Sequence, residues 1–223
     1  KEDTRQYRYR LENGTDLLET TDVLSPEDEM DSELSGFEGL SDTAKEKVRI
    51  WYQDQGLLYD LDKELEDAYQ DYLECEKSRE HFTCHKVSQD VTESAENAEY
   101  MVILTAVTTP KKLHFDGGTT CNYQTAIFNR STGEAIDLWS LFTMPEEEVK
   151  EELAKTCSVE DTTVSEQDVG PVMDQGQILL FQDYLEVWFP YGTWERQEFD
   201  KGFGFEYNKI EGLFYEWAVP QKE

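Results

Sequence analysis

The chain has 223 residues, enough for one sizeable core or two small ones. Its 50 acidic and 20 basic residues give a net charge of −30, which disfavours nucleic acid and bare anionic lipid as partners because both need basic patches. Five Trp, twelve Tyr and eleven Phe argue against disorder, so the composition predicts a folded acidic domain.

The negative charge covers both parts of the chain, since residues 1–80 hold 24 acids against 10 bases and the remainder holds 26 against 10. Such a surface attracts cationic partners and cations. An alternative interpretation is that the charge only keeps a surface protein soluble. No run of 18 apolar residues occurs, so the sequence predicts no membrane-spanning helix.

The N-terminal part is predicted to contain one strand and a long loop. Apolar and charged residues alternate over residues 5–13, which indicates a half-exposed strand that ends at Asn13-Gly14. Residues 15–40 are rich in Asp, Glu, Ser and Gly, which predicts a mobile acidic loop with apolar anchors such as Leu24 and Phe37.

Two helices are predicted next. Ser41 or Thr43 caps the first, where Thr43 and Glu46 fit a capping box, and Gly56 ends it. The second starts near Asp60 and is amphipathic. Its apolar face consists of Leu61, Leu65, Ala68, Tyr69, Tyr72 and Cys75. Its opposite face carries Asp62, Lys63, Glu64, Glu66, Asp67 and Asp71.

The remainder is predicted to be rich in strands. Residues 112–142 form the organising stretch, in which a strand over 119–128 is followed by a turn that places Gly133 at positive φ. A short helical turn is expected to end at Phe142. The other expected elements are strands over 82–91, 100–107 and 203–207, a hairpin over 177–189, a helix from about Glu146, an acidic loop over 158–175 and a closing helix around Ile210, Leu213 and Phe214.

Taken together, these elements predict an α+β fold, an antiparallel sheet with helices packed mainly on one face. We expect residues 1–41 to form an N-terminal strand and acidic loop. Residues 42–223 are expected to form a single α+β domain, with a helical segment over 42–80 and a β-rich remainder.

Two blocks of residues resemble a known domain of unknown function. One block is Phe115-Asp116-Gly117-Gly118 with Asn129, Thr132-Gly133, Ile136, Leu138 and Leu141-Phe142. The other is Leu179-Leu180-Phe181 with Tyr184-Leu185 and Val187-Trp188-Phe189-Pro190-Tyr191. Both are similar to the domain in the extracytoplasmic part of RsiV-type anti-sigma factors and PdaC-type deacetylases, and the resemblance spans roughly residues 60–215.

The resemblance implies an extracytoplasmic α+β domain from a bacterium, and in RsiV-type proteins it implies binding of lysozyme, a cationic protein. No catalytic residues come with it. The sequence departs from the family pattern at Thr120, where the family usually has His, and over residues 192–195. Both departures fall in predicted loops, where contacts with a partner would lie.

A partner-binding site is therefore expected at the glycine loop and beside the second block. Its candidate residues are Phe115, Asp116, Gly117, Gly118, Tyr191 and Trp194. We expect an interaction or sensor domain without catalysis that binds a cationic protein such as lysozyme. The alternative is a carboxylate-dependent hydrolase that acts on cell-wall sugar or peptide. No nucleophile motif, P-loop or dinucleotide fingerprint is present in the sequence.

The sequence contains only weak indications of a cofactor or a metal site. His81, Cys84 and His85 are too few, and too poorly spaced, for a structural zinc site. The acidic cluster over residues 28–31 is compatible with loose Ca²⁺ binding, although no EF-hand loop occurs. We expect no cofactor and no metal site. The four cysteines at 75, 84, 121 and 157 allow three pairings, and free buried thiols are slightly favoured.

The sequence begins at Lys1 without a methionine, which is compatible with removal of a leader or an anchor. We expect an extracytoplasmic protein, secreted or lipid-anchored at the bacterial cell surface. The sequence does not indicate an oligomeric state.

Overall fold

The computed structural model describes residues 5–22, 34–111, 118–160, 169–195 and 197–220. The strands are β1 (Arg5–Arg10), β2 (Asp16–Asp22), β3 (His85–Glu96), β4 (Tyr100–Pro110), β5 (Thr119–Asn129), β6 (Ala135–Ile136), β7 (Gln177–Leu180), β8 (Tyr184–Phe189) and β9 (Lys201–Glu206). The α-helices are α1 (Ser35–Glu38), α2 (Asp42–Gln55), α3 (Leu61–Ser78) and α4 (Glu146–Glu160). Short 3₁₀ helices span Leu138–Leu141, Gly170–Gln175, Tyr207–Lys209 and Glu216–Ala218.

The strands form two sheets, one of six strands in the order β1-β2-β3-β4-β5-β6 and one of three in the order β7-β8-β9. The predicted α+β class is confirmed. One detail of the predicted antiparallel sheet is wrong, because β2 pairs with β3 in parallel while every other pair among the described strands is antiparallel. The parallel pair arises because α2 and α3 connect β2 to β3.

Strand β4 shows why the molecule has layers on both sides of the larger sheet. Its sequence is apolar throughout, and successive side chains point to opposite faces. Met101 and Ile103 pack with α2, whereas Val102 and Leu104 pack with α4 and the second sheet. Helix α3 covers the end of the α2 face through Ala68, next to β2 and β3. Helices α1, α2 and α3 therefore share one face.

Helices α2 and α3 begin where a polar side chain caps them. The Ser41 hydroxyl accepts a hydrogen bond from the Ala44 amide, so of the two predicted caps Ser41 is correct and the Thr43 capping box is not formed. Gly56 ends α2 as predicted, and Asp60 caps α3 through the Lys63 amide. Glu64, which we predicted on the exposed face of α3, is buried.

Three other predictions need correction. The acidic loop over residues 15–40 contains strand β2 and helix α1, although its anchor Phe37 is buried as expected and Leu24 lies outside the described residues. Helix α4 continues through residues 158–160, and a 3₁₀ helix follows over Gly170–Gln175. No helix forms over residues 210–214, where Phe214 instead bridges to Phe142. The domain boundary near residue 41 stays a prediction.

None of the described helices combines the length and the apolar character needed to cross a membrane. Cys75, Cys84 and Cys121 carry free thiols that are half-buried and not fully buried as predicted, whereas Cys157 is buried.

Candidate functional site

The hairpin formed by β4 and β5 brings Gly118, one of the predicted site residues, to one end of the larger sheet. The two strands pair from Tyr100 and Asn129 to Pro110 and Thr119. The Lys111 amide then donates to the Gly118 carbonyl at 2.9 Å, which closes the hairpin around the glycine loop. We call this end, together with the β8–β9 loop over residues 190–200, the hairpin end.

Asp200 ties the β8–β9 loop to β5. Its Oδ1 accepts the Thr120 hydroxyl at 2.6 Å and the Tyr191 amide at 2.7 Å, and its Oδ2 accepts the Cys121 amide at 3.0 Å. Without Asp200 the Thr120 hydroxyl and the Cys121 amide would lose these acceptors, whereas the Tyr191 amide also donates to Thr120 Oγ1 at 3.1 Å. The carboxylate therefore fixes the loop that carries Tyr191 against the strand that follows Gly118.

An ammonium group lies between two aromatic rings at the hairpin end. Lys111 Nζ is 4.6 Å from the ring centroid of Tyr191 and 4.6 Å from that of Phe199. It also donates to the Glu198 carbonyl oxygen at 2.9 Å. Cation–π attraction and a carbonyl acceptor together make a binding site for an ammonium ion. We call Tyr191, Phe199 and the Glu198 carbonyl the ammonium box.

The exposure of the two box rings differs. Phe199 is 70% exposed, the largest value among the exposed large hydrophobic side chains of the described residues. Tyr191 is half-buried. An aromatic side chain that is held in place and still faces water is typical of an interaction surface.

Trp194 has a different environment from the one expected of a surface anchor. Its ring packs edge-on against Phe189, with centroids 5.4 Å apart, and joins the main core. The Gln197 side chain locks the surrounding loop, because it accepts from the Thr193 amide at 2.8 Å and donates to the Phe189 carbonyl at 3.1 Å. Trp194 thus stabilises the loop from inside.

Of the six predicted site residues, Gly118 and Tyr191 come together through Lys111. Phe115, Asp116 and Gly117 lie outside the described residues. Lys111, Phe199 and Asp200 were missed, because their roles depend on the pairing of β5 with the β8–β9 loop, which sequence spacing does not reveal. Thr120 was the one residue in the sequence that pointed to this part of the site, and we noted it only as a departure from the family pattern.

The second sheet covers the edge of β5 beyond its short pairing with β6. Trp188 Nε1 donates to the Cys121 carbonyl at 2.7 Å, and the Tyr123 amide donates to Gln177 Oε1 at 2.6 Å. Burial raises the pKa of the Cys121 thiol, so this group stays protonated at neutral pH and is a poor nucleophile.

An acidic cleft adjoins the hairpin end between α3 and the sheet. A cavity of about 140 Å³ lies here, and its lining consists of Glu64, Asp67, Gln70, Asp71, His85, Pro110 and Lys111. A second cavity of about 370 Å³ shares Glu64 with it. Because Lys111 belongs to both the cleft and the ammonium box, the two features form one continuous surface.

The cleft contains a buried histidine paired with a carboxylate. His85 Nε2 lies 2.8 Å from Asp71 Oδ2, and the imidazole stacks on Phe82 with centroids 5.9 Å apart. A His–Asp pair beside Glu64 is an arrangement that can move protons. Within the described ranges, no three His, Cys, Asp or Glu side chains are placed to hold a metal ion together.

No protein-family model matches the chain, and no curated protein is similar to it in sequence. Solved structures are similar in fold. A DUF3298 family member from Bacteroides fragilis aligns with a TM-score of 0.51 and 12% identity over 97% of this chain and 93% of that chain. A DUF3298 family protein from Pseudomonas aeruginosa aligns with a TM-score of 0.41 and 10% identity over 98% and 97%.

At these identities the likeness concerns the fold. The Bacteroides fragilis neighbour belongs to DUF3298, a domain of unknown function, and it aligns over nearly the full length of both chains. This agrees with the resemblance of the sequence to a domain of unknown function.

Proposed function

We propose that this protein is a non-catalytic binding domain that holds a cationic protein at its hairpin end. The observation that carries the proposal is the ammonium box, in which Tyr191, Phe199 and the Glu198 carbonyl already hold a lysine side chain. A lysine or arginine of a partner would replace Lys111 between the rings, with Phe199 as the exposed anchor.

The charge of the molecule supports this choice of partner. A net charge of −30 raises the rate at which cationic proteins meet this surface, and the acidic cleft lies directly beside the box. Long-range attraction alone is unselective and is screened by salt, since the Debye length is roughly 8 Å at physiological ionic strength. The box supplies the short-range contact that charge alone lacks.

The finer identity of the protein follows from the sequence resemblance and belongs to the same proposal. We propose an extracytoplasmic, lipid-anchored or secreted bacterial domain related to the outer part of RsiV-type anti-sigma factors, with lysozyme as the cationic partner. The DUF3298 fold of the structural neighbours is compatible with this origin.

Titration calorimetry with lysozyme at low and at physiological salt tests the proposal. Phe199→Ala removes the exposed anchor and is expected to weaken binding about tenfold, within the range known for single aromatic anchors. Tyr7→Ala is the matched control, since Tyr7 is an aromatic residue 46% exposed on β1, at the opposite edge of the same sheet. The Tyr7→Ala variant is expected to bind lysozyme with the affinity of the parent.

A second variant tests the exchange of Lys111. Lys111→Gln empties the box and removes a positive charge, so lysozyme is expected to bind more tightly than to the parent. Cytochrome c serves as a basic control protein. The proposal is wrong if lysozyme and cytochrome c bind with equal affinity, if both lose binding at physiological salt and if neither variant changes the affinity. The negative charge would then serve only to keep the protein soluble.

A second candidate function is hydrolysis of cell-wall sugar or peptide in the acidic cleft. The observation that favours it is the buried His85–Asp71 pair in the same cavity as Glu64, a set of groups that can act as acid and base. Release of reducing ends or free amines from purified peptidoglycan tests it. Activity that falls at least a hundredfold in Glu64→Gln, but not in Asp62→Asn on the exposed face of α3, would support hydrolysis.

A further inference from the structure

A second exposed aromatic surface lies at the far end of β4 from the hairpin end. Tyr215 is 46% exposed and Trp217 is 49% exposed, and the two residues flank the start of the 3₁₀ helix Glu216–Ala218. Tyr100, the first residue of β4, contacts this helix, whereas the last residue of β4 precedes Lys111. Eleven strand residues separate the two surfaces, about 33 Å at the usual rise per residue.

The backbone that carries these aromatic residues is fixed by buried groups. The Tyr100 hydroxyl donates to the Ala218 carbonyl at 2.5 Å, and Asn97 Nδ2 donates to the Trp217 carbonyl at 3.1 Å. The Tyr215 amide donates to the Leu141 carbonyl at 3.0 Å. Because the main chain is held on both sides, the backbone of this surface is pre-organised, and binding has to order only the two exposed side chains.

Glu216, which lies between the two aromatic residues in the chain, lines a cavity of about 500 Å³. Ile210, Phe214 and Val219 supply apolar lining. The Tyr207 hydroxyl, which also belongs to the lining, donates to the Phe181 carbonyl at 2.8 Å, so the wall is rigid. An apolar floor next to exposed Trp and Tyr side chains is the composition of an interaction surface.

The charge at this cavity indicates what it accepts. Glu211 and Glu216 belong to its lining, and no lysine or arginine does among the described residues. Three cavities elsewhere differ, because Lys150, Lys111 and Lys63 respectively line them beside acidic residues. Within the part of the chain that the structure describes, no lining cation therefore balances the carboxylates of this cavity.

We infer that the surface formed by Tyr215, Trp217 and this cavity, which we call the C-terminal face, binds an extended basic segment of a partner protein. Arginine or lysine side chains of the segment would stack on Trp217 and pair with Glu211 and Glu216, while neighbouring apolar side chains enter the cavity. The inference goes beyond the proposed function, since it adds a second surface that leaves the hairpin end free.

The test uses the whole chain labelled with ¹⁵N and the synthetic peptide acetyl-Leu-Arg-Leu-Arg-amide at physiological salt. The chain has five tryptophans, and Trp217→Phe identifies the indole N–H resonance of Trp217 by its disappearance. We expect a saturable shift of that resonance, with little change at Trp51 on the opposite face of the sheet. The same peptide with citrulline in place of arginine is expected to bind about tenfold more weakly.

Two variants separate charge from folding. Glu211→Gln with Glu216→Gln is expected to weaken the arginine peptide about threefold to tenfold and to leave the spectrum of the free protein unchanged, because both side chains are exposed. Phe199→Ala at the hairpin end is expected to leave peptide binding unchanged. If the parent chain does not bind the peptide but still binds lysozyme, this inference alone is overturned and the proposed function stands.

Equal affinity for the arginine and citrulline peptides would overturn the inference. It would also be overturned by shifts at Trp217 that are no larger than those at the other tryptophans. Unchanged affinity in the Glu211→Gln, Glu216→Gln double variant would contradict the assigned role of the two carboxylates and overturn the inference as well.

Discussion

The two ends of strand β5 are built in different ways. At one end, Asn129 leads into a turn held by its own backbone and by the Asn129 side chain, which accepts from the Ser131 and Thr132 amides. Gly133 closes this turn against the backbone of Ala44 in α2, and we call residues 129–134 the covered turn. At the other end, Thr120 is held by the Asp200 side chain, and much of the Phe199 side chain faces water.

This difference predicts that the covered turn contributes mainly to stability and the hairpin end mainly to recognition. The covered turn is closed by backbone contact between Gly133 and helix α2, so a Cβ added at Gly133 strains the fold. The hairpin end is closed by side chains that a partner can reach, so changes there are expected to alter binding more than folding. The predictions below test this separation, beginning with the largest effect.

Gly133→Ala is expected to cause the largest loss of stability, about 3 kcal/mol or more. The glycine has φ +71°, and a Cβ would meet the carbonyl oxygen of Ala44 and lie 2.6 Å from its Cα. Chemical denaturation measures the change in the free energy of unfolding.

Gly192→Ala in the β8–β9 loop is the matched control. Its φ is +88°, but a Cβ would have open space around it. The cost is therefore expected to be the conformational term alone, about 1 kcal/mol. Equal losses in the two glycine variants would show that the covered turn has no steric requirement beyond its dihedral angle.

Asp200→Asn is expected to cost about 1–3 kcal/mol, because an amide nitrogen would replace one of the oxygens that accept from Thr120, Tyr191 and Cys121. Amide hydrogen exchange is expected to accelerate at Tyr191 and Cys121 while it stays slow at Gly133. Asp174→Asn, whose carboxylate is exposed and pairs with Lys150, is the control. Similar exchange at both ends after Asp200→Asn would contradict the separation of the two ends.

How far the sequence predicts the structure depends on whether the deciding contacts are local. The position of Gly133 and the start of α3 at Asp60 follow from turn and capping chemistry within a few residues, and both were predicted. Strand β2 was missed because its acidic sequence is not typical of a strand, although it pairs with β1 across the Asn13-Gly14 turn; its other partner, β3, lies far along the chain.

The candidate site shows the same limit. Trp194 and Phe199 are aromatic residues of one loop, and nothing in their spacing favours Phe199 as the exposed residue. The choice is made by Phe189, which packs against Trp194 and leaves Phe199 in water. Apolar spacing over Ile210 and Phe214 indicated a helix for a related reason, since burial against distant residues produces the same pattern.

The smallest change in stability is expected from substitution of Glu186 on β8. This substitution is expected to stabilise the protein, whereas Asp200→Asn is expected to destabilise it. Burial raises the pKa of Glu186, so the folded state favours the protonated form. Its contribution to stability is then greatest below the unfolded pKa of about 4.3 and decreases as the pH rises through the folded value.

Glu186→Gln removes this unfavourable ionisation. The variant is expected to melt slightly above the parent at pH 7, with a difference that vanishes near pH 4 when both side chains are neutral. Glu206→Gln, at an exposed position of β9, is the control. A difference in melting temperature that does not change with pH would exclude burial of the carboxylate as its cause.

The central claim is that the hairpin end, and not the covered turn, contacts the cationic partner. Hydrogen–deuterium exchange of the whole chain with and without lysozyme at physiological salt tests it most directly. We expect protection over residues 118–124, 190–195 and 197–200 and no change over residues 129–136. Protection confined to the covered turn, or none at either end while lysozyme is bound, would contradict the account.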